Sequence, residues 1–498
     1  MNLSSMLRQG ARYFPEKNSL TFGKVTFTYK ELDNCVDMVA SYLKDIGIKK
    51  TDRVALYAGN RPEWIMAYYG IIRLGAVAVC VSAAYKSSEL EHLINDSKSS
   101  LFITTEVLFS NLPDSKKIPH LKDILVIEKD RVLSSLCERK GDERKPVPAE
   151  KCEADEVCVV LYTGGTTGVP KGAMLSHKNL LFTAQNVCYH ERTVPEDVGL
   201  CFMPLNHVFA GNHIMNSLLY SCASLVLHPG FDMEEVVTSI SENKVTRLYA
   251  VPTIYIRLLN NPECHKDLRS VGYSFSAATS MPSEVVRRWY DTFGLRIHEA
   301  YGMTESSSLT TFNHLYRHKI GSVGTPAGVV EVKITDPEGN DLPPGEEGEI
   351  LIRGPNVMRG YFNQPEETEA VMKGGWLHSG DVGRFDEKGY LYIVDRIKDM
   401  IISGGLNIYP TEVEEVLYTH DAVEECSVAG LPHEEYGEAV TAFVRLKSGK
   451  SASEGALIRF CKGKIASYKA PKKIIFLDDF PRTPQGKILK RELKKYSL

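Results

Sequence analysis

The sequence predicts an α/β protein in three parts. Helices wrap a parallel sheet in a large first region, a small β-barrel or sandwich follows, and a compact α+β segment closes the chain. Three observations lead there. Strand-like and helix-like segments alternate through the first 150 residues, the pattern of a parallel sheet covered by helices. From about Gly321 the texture changes to short alternating segments (331–335, 348–353, 390–394) separated by Pro/Gly turns. Asp395-Arg396-Ile397-Lys398-Asp399 then places four charges in five residues, which reads as a linker because charges are costly in a core. The segment 400–498 follows it.

In order along the chain, residues 25–29 alternate as a strand. Residues 30–46 carry Leu32, Val36, Val39 and Leu43 at helical spacing. Residues 53–57 read as a second strand, Pro62 to Leu74 as a helix, and 76–81 as an apolar run. The tract 138–151, rich in charge and proline, reads as an exposed connection. The run Val157 to Tyr162 reads as a buried strand. It stops at Thr163-Gly164-Gly165-Thr166-Thr167-Gly168-Val169-Pro170-Lys171-Gly172. Glycines let backbone N–H groups approach an anion closely, and the threonines and lysine add donors and charge. This is the chemistry that holds a triphosphate, although a flexible surface hairpin is the plainer alternative. The P-loop pattern does not fit, since Lys171 stands between Pro170 and Gly172 and cannot open a helix.

Further strand ends carry small or polar tips. They are 201–209 with His207, 245–251 before Pro252-Thr253, Tyr273-Ser274-Phe275-Ser276-Ala277-Ala278-Thr279, and Arg296-Ile297-His298-Glu299-Ala300-Tyr301-Gly302-Met303-Thr304-Glu305. Ligands of doubly wound sheets lie beyond the carboxyl ends of strands, so these tips should converge on one crevice. Taken alone, His207 reads as a half-buried core histidine. In Trp376-Leu377-His378-Ser379-Gly380-Asp381, the aspartate reads as a loop residue that could also chelate two sugar hydroxyls. Ser403-Gly404-Gly405-Leu406-Asn407 is a glycine turn, and Pro410-Thr411 opens a helix to Leu417. Arg482-Thr483-Pro484-Gln485-Gly486-Lys487 is a turn presenting a lysine that would ordinarily be solvated.

Composition narrows the classes. The chain has 498 residues, room for two to four domains, and 43% hydrophobic and 24% charged residues, ordinary for a globular enzyme. A net charge of −4 shows no nucleic-acid footprint. Eleven cysteines without a Cys-x-x-Cys pair read as free thiols in a reducing compartment. No run has the length of a membrane span, and the first fourteen residues lack the apolar centre of a signal peptide. The ending Tyr496-Ser497-Leu498 resembles a peroxisomal signal only loosely. The expected location is cytoplasmic, and a homodimer is left open.

Together these segments resemble the ANL superfamily of adenylate-forming enzymes, and most closely its acyl- and aryl-CoA synthetase branch. Five motifs match in order over nearly the whole chain. The resemblance implies a large domain over 1–397 with a β-barrel subdomain at about 321–395, and a mobile C-terminal domain over 398–498 hinged at Lys398. It implies ATP, Mg2+ and coenzyme A as cofactors or co-substrates and a small carboxylic acid as partner. Thr163, Gly164, Gly165, Thr166, Thr167, Gly168 and Lys171 match the phosphate loop. Tyr301 matches the adenine-stacking residue, with Ala278, Thr279, Glu299, Ala300, Gly302 and Met303 around it. Thr304 matches an α-phosphate contact and Glu305 a Mg2+ ligand. Asp381 matches the ribose ligand, with Arg396 beside it. His207 matches a residue beside the acyl carboxylate, and Gly404 and Gly405 match the lining of the thiol tunnel. Lys487 matches the lysine bridging the carboxylate and the α-phosphate.

Some positions depart from the family pattern. Gly164 replaces a usual serine, Ala277 replaces a glycine, Asn206 replaces an aromatic residue and Leu406 replaces a glutamate. The implied reaction is activation of an acid to acyl-AMP and transfer to CoA, with a medium-chain or ring-bearing acid expected from serines and Asn212 among apolar pocket residues. Two other functions fit these residues less well. An enzyme loading a carrier protein with an amino acid would place an aspartate near Asn206-His207, and none stands there. A silent nucleotide binder would have no need of Lys171, Glu305 and Lys487 together.

Overall fold

The computed structural model describes residues 1–141, 146–163, 170–483 and 486–496. Gly164, Gly165, Thr166, Thr167 and Gly168 of the phosphate loop lie outside the described residues.

Two large sheets dominate. In the six-stranded sheet the order is Asp123–Val126, Leu101–Thr104, Arg53–Tyr57, Val77–Cys80, Val157–Thr163, Lys171–Ser176. All its neighbours run parallel except the last pair, an antiparallel hairpin in which Thr163 faces Lys171. In the nine-stranded sheet six adjacent strands are parallel, ending with Arg247–Ala250, Tyr273–Ser276 and Ile297–Tyr301. Its edge strands are antiparallel.

Local chemistry explains the main elements. Helix Tyr29–Asp45 starts at a capping box in which Thr28 accepts from the Glu31 amide and Glu31 accepts from the Thr28 amide. Helix Pro62–Arg73 starts with proline at its first position and is buried on every face. Its Arg73 is therefore neutralised by Asp33 at 2.5 Å and Asp37 at 2.6 Å. Strand Arg53–Tyr57 shows the period of two. Val54 and Leu56 join the main core, while Ala55 and Tyr57 join a second cluster with Phe102, Leu90 and Leu93 on the other face.

The barrel is built from Glu331–Thr335, Gly348–Arg353, Met372–Lys373, Trp376–Phe385 and Leu391–Arg396, all antiparallel. Ile334, Ile350, Ile352, Leu377 and Leu391 pack into the same core as the large sheets. The C-terminal segment carries a separate five-stranded sheet and its own core, including Ile401, Val413, Leu417, Val428, Val440 and Ile474. Tyr418 packs against both cores, and polar contacts such as Thr411 with Asp395 also tie the segment to the rest.

Two local readings are corrected. Asp381 is not on a loop: it lies within the ten-residue strand Trp376–Phe385, beside a register irregularity between Val382 and Gly383. Residues 395–399 are not an open linker either. Asp395 and Arg396 end a strand, and Ile397–Asp399 forms a 3-10 turn. Asp395 is buried because it accepts from the Thr411 amide and hydroxyl at 3.1 and 3.0 Å. Among the described residues, no helix is long and apolar enough to cross a membrane.

Candidate active site

The crevice forms at the carboxyl ends of the parallel strands. Tyr273–Ser276 and Ile297–Tyr301 lie side by side, with Ser276 opposite Glu299. Ala278 turns the chain at φ +73°, and Gly302 follows Tyr301. A Cβ on Gly302 would stand 2.0 Å from the Ser308 carbonyl oxygen, so only glycine permits that close return. Glu299 is buried, its carboxyl held neutral-leaning by desolvation and by Glu415, and its Oε2 has no protein partner among the described residues.

The Tyr301 hydroxyl donates to Asp381 Oδ2 at 2.7 Å, and Arg396 Nε lies 3.3 Å from Asp381 Oδ1. Asp381 and Arg396 are cross-strand partners, so the barrel hairpin delivers both to the strand end bearing Tyr301. Burial pushes the Asp381 carboxyl up, while Arg396 and the Tyr301 hydroxyl oppose it.

Glu305 sits in the 3-10 turn Thr304–Ser306 and is 7% exposed. The Tyr361 hydroxyl donates to its Oε1 at 2.8 Å. Burial raises its proton affinity, and the Tyr361 bond lowers it. The turn is pinned from the segment before Tyr361. The Met358 amide donates to the Glu305 carbonyl at 2.8 Å, and Asn356 Nδ2 reaches the Leu309 carbonyl at 2.9 Å.

Lys171 opens its strand opposite Thr163, and its ammonium lies 5.4 Å from the centre of the Tyr361 ring and pairs with Glu367. Tyr361 stands there because residues 359–362 bond to strand Lys171–Ser176: the Arg359 amide reaches the Met174 carbonyl and the Phe362 amide the Gly172 carbonyl. One tyrosine thus touches both the predicted phosphate-loop lysine and the predicted metal carboxylate. The sequence reading missed Tyr361, Glu367 and Asn356. Their only local signal is a Gly/Pro-rich turn, Gly354-Pro355, followed by Gly360 at φ +123°.

Lys487 is not a solvated turn lysine. It is half-buried, and its pKa is lowered to about 8, first by desolvation and then by Arg396, against the attraction of Asp399 and Asp381. His207 is lowered to about 4 by desolvation and by Lys487. The Phe209 amide donates to His207 Nδ1 at 3.2 Å. The lysine loop touches the large domain, since a Cβ on Gly486 would lie 3.2 Å from Val251 Cγ2. Lys398 is exposed in the turn before the C-terminal sheet. Gly404 and Gly405 make the left-handed turn between Ile401–Ser403 and Leu406–Ile408, and the Gly404 amide donates to Tyr436 of that same segment.

The expected acid pocket differs in one respect. Asn212 is not a free donor: its Nδ2 bonds the Ser307 carbonyl at 2.9 Å, and its Oδ1 accepts from Asn216. His213 pairs with the buried Glu191 at 2.8 Å and stacks on Phe275, ring centres 4.4 Å apart.

A divalent cation fits Glu305. That carboxylate is buried, and the Tyr361 hydroxyl, its own backbone amide and the field of Arg396 offset burial only in part, so its proton affinity stays raised and a cation beside it would be favoured. Among the described residues no group of three or more His, Cys, Asp or Glu side chains is placed to hold a metal. A Mg2+ ion here would therefore take most of its ligands from phosphate oxygens and water.

A sheet-end crevice with a half-buried lysine, an aspartate–tyrosine pair and a second lysine on a glycine hairpin fits a nucleotide-dependent carboxylate-activating enzyme. The chain belongs to the AMP-binding enzyme family: residues 7–362 match that family and residues 412–487 its C-terminal domain. It is 36% identical to a long-chain-fatty-acid–CoA ligase of Bacillus subtilis, over 99% of this chain and 94% of that protein. It is 35% identical to a feruloyl-CoA synthase of an Amycolatopsis species, over 97% of each. ATP-bound MatB from Rhodopseudomonas palustris has the same fold, with a TM-score of 0.91 at 30% identity over 99% of each chain. The apo form of that protein, at the same identity and coverage, gives 0.82.

Proposed function

We propose that this AMP-forming acid–CoA ligase activates a medium-chain fatty or ring-bearing acid with MgATP and passes the acyl group to CoA at the same crevice. The observation carrying this reading is convergence. Lys171, His207, Tyr301, Glu305, Asp381 and Lys487 come from distant parts of the chain, yet contacts and electrostatic coupling link the Lys171–Tyr361–Glu305 chain to Asp381, Arg396, Lys487 and His207.

Lys171, with Thr163 and the glycine loop, grips the β- and γ-phosphates. Tyr301 stacks on adenine with Ala278, Thr279, Glu299 and Ala300 around it, and Asp381 and Arg396 hold the ribose. Thr304 contacts the α-phosphate, and His207 lies beside the acid. When bound at Glu305, Mg2+ supplies charge neutralisation on the polyphosphate. Lys487 draws the acid carboxylate and the α-phosphate together, because its ammonium is desolvated and its field is weakly screened. A carboxylate oxygen attacks the α-phosphorus, the bond to the bridging oxygen of pyrophosphate breaks, and acyl-AMP forms. The CoA thiol then attacks the acyl carbon, loses its proton, and AMP leaves with the C–O electron pair. Two half-reactions at one site call for two placements of the C-terminal domain over 398–498, hinged at Lys398.

Two features support a bounded acid. Asn212 and His213 are fixed by protein partners, and Phe209, His213 and Phe275 form a packed aromatic wall. Overall identity does not discriminate, since relatives of nearly equal identity are named for a long-chain fatty acid and for ferulate.

The test supplies ATP, Mg2+, CoA and acids graded by length and ring type, and measures AMP. An optimum at medium-chain or ring-bearing acids is expected. ADP as product would overturn the reaction, and a clear optimum at very long chains would overturn the substrate class. Lys487→Ala should lose acyl-AMP formation while keeping thioester synthesis from preformed acyl-AMP. Equal loss of both would contradict the role given to Lys487.

A further inference from the structure

Helix Pro410–Tyr418 of the C-terminal segment carries three glutamates. Glu412 pairs with Lys469 at 2.7 Å and Glu414 with Lys490 at 3.0 Å, both within the same segment. Glu415 has no cation within ion-pair distance among the described residues. Its carboxylate instead crosses to the large domain, where the Ser283 amide lies 3.3 and 3.4 Å from its two oxygens. Ser283 is the first residue of the eleven-residue helix Ser283–Phe293. The preceding residue is Pro282, which has no side-chain acceptor, so this helix starts without a cap of its own. The orphan amide and the positive end of the helix dipole are thus satisfied from another domain.

A second contact between the domains reaches the same helix through Asn260. Asn260 Nδ2 donates to Glu424 of the C-terminal segment at 3.2 Å, and Arg288 of the helix donates to Asn260 Oδ1 at 3.1 Å. Glu414, the neighbour of Glu415, holds Lys490, three residues beyond Lys487. Adjacent residues on a helix point about 100° apart. One carboxylate therefore holds Lys490, just beyond the lysine loop, while the next grips the large domain.

We propose that Glu415 is a positioning residue for acyl-AMP formation, a latch that caps helix Ser283–Phe293 and holds the C-terminal domain where Lys487 enters the crevice. This rests on the two-placement reading above. The latch is released when the domain swings for thioester formation, so it favours the first half-reaction alone.

The test compares Glu415→Ala, Glu415→Gln and Ser283→Pro with the unaltered enzyme in two assays: acid-dependent exchange of pyrophosphate into ATP, and thioester formation from preformed acyl-AMP and CoA. Proline is well tolerated at the first position of a helix, so Ser283→Pro deletes the donor and leaves the helix intact. Loss of a cap corresponds to roughly a two- to thirtyfold change. Glu415→Ala and Ser283→Pro should each slow exchange by that factor and leave thioester formation unchanged or faster. Their combination should be no slower than either alone, and Glu415→Gln, which keeps an acceptor, should recover part of the rate. Equal slowing of both half-reactions, unchanged exchange, or additive losses in the double variant would overturn the latch. Absence of acid-dependent exchange in the unaltered enzyme would overturn the ligase reading itself, and the latch with it.

Discussion

Replacing Tyr361 by phenylalanine removes one oxygen and leaves the ring. The ring still lies under Lys171, 5.4 Å from its ammonium, so the phosphate-loop lysine keeps its platform. What is lost is the 2.8 Å hydrogen bond to Glu305 Oε1. A hydrogen bond to a charged group contributes about 1.5–3 kcal/mol. In Glu305 that contribution favours the ionised form against burial, which favours the protonated one. Removing it leaves burial less opposed and should raise the Glu305 pKa further. A metal-binding carboxylate must be ionised, so activity is present above its pKa and falls as pH drops through it. The acid limb of kcat/KM for MgATP should therefore move to higher pH in Tyr361→Phe, kcat/KM at a fixed pH on that limb should fall by about tenfold or more, and excess Mg2+ should restore part of the rate. The assay is a pH profile of acid-dependent pyrophosphate exchange. An unmoved acid limb with a uniformly lower rate would refute the coupling between Tyr361 and Glu305.

Three further outcomes are expected. Lys487 has its pKa lowered to about 8, so its ammonium is present below that value and lost above it. The adenylation rate of the free enzyme should decline above about pH 8, and Lys487→Arg should flatten that limb whatever its absolute rate. Glu367 is partly exposed and pairs with Lys171 at the place where phosphate is proposed to bind. Glu367→Gln should lower KM for ATP by up to about fivefold, as a surface pair contributes about 1 kcal/mol or less, and steady-state kinetics at varied ATP would show it. Gly302→Ala drives a methyl into the Ser308 carbonyl, so adenylation should fall at least tenfold with a lowered Tm, read by exchange and by thermal melting.

Much of the fold was legible because local signals were unambiguous. Pro62 marks a helix start, the run from Val157 marks a buried strand, and the strands at Glu331–Thr335 and Gly348–Arg353 stand where their alternation placed them. The readings that failed concerned environment. Asp381 looked like a turn residue because glycine precedes it, yet cross-strand pairing with Arg396 holds it in a strand. Lys487 looked solvated because its turn is polar, but domain docking half-buries it.

The sequence by itself determined the class of chemistry: a glycine–threonine loop ending in Pro170-Lys171-Gly172, a strand running into Tyr301 to Glu305, and a lysine on a late hairpin, in a fixed order. Those are matters of residue type and spacing, which the chain carries without folding. Only the tertiary structure decided which groups meet. The bridge from Lys171 through Tyr361 to Glu305 spans 190 positions, and the Glu415–Ser283 contact spans 132. Pairings at such separations depend on how sheets, barrel and C-terminal domain pack together. No local periodicity encodes them, because the partners become neighbours only once each element has buried its own apolar face.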